Sequence, residues 1–99
     1  MSDNHLVKRV EEHAYALSVT PLVDLRALPK ISDETVQNTC GDILITVWRD
    51  DLDDGCIQVV VQGVCPADSM RRMVYAKGFK IVPDGSVVDL TELELSEFR

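Results

Sequence analysis

The chain reads as a single α+β domain over residues 1–99: an N-terminal helix packed on a four-stranded antiparallel meander sheet, closed by a short C-terminal helix. The strongest observation behind it is a pair of β-rich runs, residues 42–49 and 56–63, flanking the acidic turn Asp50-Asp51-Leu52-Asp53-Asp54-Gly55. An amphipathic stripe near the N-terminus predicts the helix. A Pro-Asp-Gly turn followed by a capping-box pattern predicts how the chain ends.

Residues 3–17 place Leu6, Val7, Val10, Ala14 and Leu17 on one helical stripe, with Lys8, Arg9, Glu11 and Glu12 on the other side. Ser2 or Asp3 suits the N-cap. Pro21 and Pro29 bracket residues 22–28, whose alternation suits an extra edge strand and equally a helical turn. Ser32-Asp33-Glu34-Thr35 has the composition of a helix start, with one or two turns expected before Gly41.

In the first hairpin, Arg49 set opposite Cys56 aligns Trp48 with Ile57, Thr46 with Val59 and Leu44 with Val61. That register gives an apolar face of Leu44, Trp48, Ile57, Val59 and Val61, and a mixed face of Ile43, Ile45, Val47 and Val60 beside Gln58 and Gln62. Pro66 ends the second strand, and residues 70–82 form a third, bent at Gly78.

Residues 82–86 turn the chain into a fourth strand, 87–90, for which two registers compete. A three-residue loop with Gly85 as a bulge sets Phe79 opposite Asp89. Pairing Val82 with Val87 aligns Ile81 with Val88, Phe79 with Leu90 and Lys80 with Asp89, and is favoured because apolar faces and opposite charges then agree. Thr91-Glu92-Leu93-Glu94 is a capping box, with Leu95 and Phe98 at helical spacing behind it.

Hydrophobic residues at 45% and charged residues at 27% mark a chain that folds rather than a disordered one. A net charge of −7 repels phosphates and argues against direct nucleic-acid or anionic-membrane binding. No charge-free apolar run approaches a membrane span. Met-Ser-Asp-Asn-His lacks the basic and apolar regions of a signal peptide, so a cytoplasmic location is expected. Three cysteines are a poor disulfide framework, and Cys56 and Cys65 end one strand about 30 Å apart. The hairpin register projects Cys40 opposite Cys65, where a thiol pair or half a metal site competes with buried, reduced cysteines.

No catalytic residue, metal site or cofactor is read from the sequence. The acidic turn has Asp50, Asp54 and Gly55 placed as in a calcium loop, but Leu52 stands at the third ligand position and Val61 where the bidentate acid belongs. A solvated hairpin turn explains it better. His5 and His13 lie about 12 Å apart along a helix and cannot share a metal through it.

The reading favoured is a small, acidic, non-enzymatic protein-binding module: a regulator, inhibitor or accessory subunit. Its candidate contacts are Trp48, the carboxylates Asp50, Asp51, Asp53 and Asp54, and the basic pair Arg71 and Arg72. One alternative is a ligand-binding or catalytic pocket between helix and sheet using His13 and Tyr75. Another is a nucleic-acid mimic that blocks a basic protein. The partner expected is another protein, and homodimerisation is compatible with each reading.

Overall fold

The computed structural model describes residues 2–37, 42–65 and 73–98, with side chains except those of residues 2–5, 73 and 97. Helix α1, Ser2–Ser18, is followed by the single turn α2, Leu22–Arg26. The strands are β1 (Ile31–Val36), β2 (Ile43–Asp51), β3 (Ile57–Cys65), β4 (Met73–Ile81) and β5 (Val87–Asp89). Helix α3, Glu92–Leu95, and a 3-10 turn, Ser96–Phe98, complete the chain. The strands form one antiparallel sheet in the order β1-β2-β3-β4-β5. The α+β class is as the sequence predicts: helices α1 and α2 pack on an antiparallel meander and α3 contacts the sheet.

Helix α1 buries Leu6, Val10 and Ala14 against Ile43, Ile45, Val61 and Cys65. The projected stripe is therefore the face that packs. The proposed caps Ser2 and Asp3 lie outside the described side chains. Helix α2 drives the fully buried Leu25 into Ile57, Val59, Phe79 and Ile81 on the same side of the sheet. Pro21 starts this turn, its carbonyl accepting from the amides of Asp24 and Leu25 at 3.0 and 3.1 Å. Residues 22–26 are thus helical, and the extra edge strand lies elsewhere.

That strand is β1, where the sequence suggested a helix start. Ser32, Glu34 and Val36 are paired with Val47, Ile45 and Ile43. The cap-like residues Ser32 and Asp33 take extended geometry because the pairing with β2 outweighs their weak local preference. Thr46 fixes Asp33 with a hydroxyl hydrogen bond of 2.9 Å.

Both hairpin registers differ from expectation, for one shared reason. In the first, the Leu52 amide donates to the Cys56 carbonyl at 2.8 Å and the Gly55 amide to the Leu52 carbonyl at 3.0 Å, with Gly55 at φ +88°. In the second, Val82 donates to Ser86 at 3.0 Å and Gly85 to Val82 at 2.8 Å, with Gly85 at φ +94°. Each is a three-residue loop ending in a left-handed glycine bulge.

The first loop sets Arg49 opposite Val59, not Cys56, and Trp48 opposite Val60. The shift is odd, so the faces re-sort: Ile43, Ile45 and Val47 join Ile57, Val59 and Val61 under the helices. The second loop sets Phe79 opposite Asp89 and Lys80 opposite Val88. Lys80 meets Glu94 instead, at 3.4 Å. Continued one step, the first register places Cys65 opposite Ile43, which removes the projection of Cys40 onto Cys65. Cys40 itself lies outside the described residues.

The second sheet face carries a smaller core of Val60, Ala76, Leu90 and Leu95, with Trp48 and Phe98 packed against it. The capping box forms: the Glu94 amide donates to the Thr91 hydroxyl at 3.2 Å, and the Thr91 amide to the Glu94 carboxylate at 2.9 Å. The Gln62 side-chain amide donates to the Phe98 carbonyl.

Candidate functional site

The features able to meet another molecule gather at the β1–β2 side of the sheet. β1 is an edge strand. The Arg49 amide donates to the Lys30 carbonyl at 2.9 Å, so Lys30 and Arg49 are a hydrogen-bonded pair. Antiparallel pairs alternate, so Ser32, Glu34 and Val36 turn their backbone groups to β2, while Ile31, Asp33 and Thr35 turn theirs outward. Ile31 is 60% exposed and stands opposite half-buried Trp48; Leu44, 39% exposed, stands opposite Thr35. An apolar strip of Ile31 and Leu44 with outward backbone groups thus borders the described sheet; Asp33 shares its face, and exposed Glu34 lies on the other face beside His13.

The sequence candidates distribute as follows. Trp48 packs on Phe98 with ring centroids 5.2 Å apart and planes tilted by 52°, on the face away from α1. Asp50 is exposed on that face, whereas Asp51 lies on the opposite one beside Arg49. Asp53 and Asp54 form the exposed turn tip. Asp54 accepts the Cys56 amide at 3.0 Å, and that hydrogen bond holds its carboxyl below the ordinary 3.8. The hydrogen bond with Asp54, assisted by burial, pushes the Cys56 thiol up, so it stays protonated. Arg71 and Arg72 lie outside the described residues.

His13 and Tyr75 stand on opposite flanks of α1. His13 is 3.2 Å from Glu34 of β1, and the Tyr75 hydroxyl is 3.4 Å from Glu11 on the β4 side. Among the described residues no three His, Cys, Asp or Glu side chains converge as metal ligands, the acidic turn included.

Arg49, which the sequence places in the first hairpin without a binding role, becomes notable in the structure. It sits on the helix-covered face, its side chain only 11% exposed. Nε donates to the Leu28 carbonyl at 2.9 Å and Nη1 to Asp51 at 2.8 Å. The side chain clamps the connection after α2 onto β2. A lone arginine alternating with Ile43, Ile45 and Val47 was the available signal, since a charge on a buried face needs specific partners. Beside it, Arg26, Asp51, Leu52 and Cys56 line an open basin of about 350 Å³.

Compared with known proteins, the chain matches no family model, no curated protein and no solved structure. Among the described residues, no helix is long and apolar enough to cross a membrane.

Proposed function

We propose that this chain is a non-enzymatic protein-binding module, a small acidic regulator, inhibitor or accessory subunit that receives an extended basic segment of its partner on β1. The observation carrying this reading is the free edge: the outward backbone groups of Ile31, Asp33 and Thr35 beside the exposed Ile31 side chain. Strand addition uses such groups for affinity and the alternate side chains for specificity.

Charge selects the occupant. Asp33 and Glu34 occupy the middle of β1 in a chain of net charge −7, so a Lys- or Arg-bearing strand is favoured. Two copies of β1 paired antiparallel about this point would set acid against acid, which disfavours a homodimer through this edge.

The test is affinity capture from native lysate with the wild-type chain and a Thr35→Pro variant, washed at low and moderate salt. The Thr35 amide points away from β2, so proline there spares the β1–β2 ladder and blocks only an added strand. A stoichiometric, salt-sensitive protein retained by wild type and lost with Thr35→Pro is expected. A partner held equally by both moves the contact off β1, and capture of no protein counts against a binding module.

A further inference from the structure

We propose that the basin between α2 and the β2–β3 turn binds the carboxylate of a ligand carrying a short apolar chain. Arg49 is held at two points. Its Nε is committed to Leu28 and its Nη1 to Asp51, which fixes the plane of the guanidinium. Nη2 makes no hydrogen bond within the described protein, yet no buried side-chain nitrogen or oxygen lacks a partner. Nη2 therefore keeps some contact with solvent, and the basin is the open space that Arg49 lines.

Arg26 reaches the same basin from α2 and has no ion-pair partner among the described residues. Two arginines against the single carboxylate of Asp51 make this lining cationic, although the whole chain carries −7. A guanidinium held in place by two hydrogen bonds and presenting its remaining edge is preorganised for an oxyanion.

The rest of the lining selects the kind of anion. Leu52 and Ile57 supply apolar surface, and the Cys56 thiol, pushed up by its hydrogen bond with Asp54, adds no anion that would repel a carboxylate. A monoanion with a small aliphatic group matches that combination, whereas a phosphate dianion would meet Asp51 and the neighbouring Asp53 and Asp54 at greater cost. A volume of about 350 Å³ is ample for such a group. The ligand is either a small organic acid or the C-terminal residue of a peptide. The basin lies apart from the outward groups of β1, and the inference does not depend on strand addition there.

The experiment is a ¹H–¹⁵N NMR titration following the Arg49 Nε–H and the amides of Gly55 and Cys56. The probes are N-acetyl-leucine, isovalerate, the neutral N-acetyl-leucinamide and sodium chloride. Saturable shifts with N-acetyl-leucine but not with the amide or chloride are expected. Arg26→Ala, an exposed change to a strong helix former, should weaken binding about fivefold without altering the fold. Isovalerate binding as well as N-acetyl-leucine assigns the site to small acids, and N-acetyl-leucine alone assigns it to a chain terminus. Equal shifts with the amide or with chloride, no shifts at all, or unchanged affinity in Arg26→Ala overturns the proposal.

Discussion

Gly63 shows how a single atom sets the distance between the two layers. It lies on β3 beneath α1, where an added Cβ would sit 2.8 Å from Leu6 Cδ1 and closer still to a methyl of Val10. The Leu6 side chain can swing aside, but Val10 is β-branched and has one favoured helical rotamer. Two effects oppose each other in Gly63→Ala. The stiffer unfolded chain favours alanine by about 0.5–1 kcal/mol, while overpacking of a tight core costs about 1–3 kcal/mol. Overpacking wins, so the variant should unfold at lower urea, with a midpoint loss worth about 1–2 kcal/mol. An unchanged or higher midpoint would mean that α1 is free to lift from the sheet.

At the scale of elements, the turns carry more information than the strands they join. Leu52-Asp53-Asp54-Gly55-Cys56 and Val82-Pro83-Asp84-Gly85-Ser86 share an aspartate whose carboxylate accepts the amide two residues on, at 3.0 and 2.8 Å. These bonds hold both carboxyls below the ordinary 3.8 in the folded chain. A depressed folded value gives stability that is fully present above the unfolded value and lost as pH falls through the folded one. The two turns should therefore add a constant stability from neutral pH down to about 5 and lose it progressively below about 4. Urea midpoints measured at pH 5 and pH 3 should fall less in Asp54→Asn/Asp84→Asn than in wild type, because asparagine retains the acceptor without the titration. An equal fall in both proteins would place the acid sensitivity elsewhere.

The same turns explain what was legible in the sequence. The α1 stripe and the Thr91–Glu94 capping box were readable because each is local. β2 to β5 were recognisable as strands, but β2 and β3 are apolar on both faces, so alternation alone could not choose their register. The shared Asp-Gly loop was the better guide, and apolar matching misled at Phe79, which pairs with Asp89. β1 was hidden because Ser-Asp-Glu-Thr suits a helix start until β2 lies beside it. The acidic turn of the candidate surface could be read directly; Ile31 and the Arg49 basin depend on contacts between segments far apart in sequence.

For the molecule as a whole, the sheet is covered unequally. α1 and α2 bury one face through two adjoining clusters bridged by Leu17 and Val47. The other face relies on α3 and the 3-10 turn, segments of four and three residues that are too short to be helical alone. They are held by buried Leu95, the tilted Phe98–Trp48 ring contact, the Gln62–Phe98 hydrogen bond and the Lys80–Glu94 ion pair. Short and docked on the smaller of the cores, this segment should open at lower free energy than the helix-covered core. Leu95→Ala removes its main apolar anchor, at a cost of about 2–5 kcal/mol where the segment stays docked. Undocking limits that cost and exposes Trp48. The expected result is a Trp48 emission that shifts to the red and melts well below the far-ultraviolet helix signal. Val10→Ala, in the opposite core, should lower both transitions together. Coincident melts in Leu95→Ala would mean that the two faces of the sheet unfold as one unit.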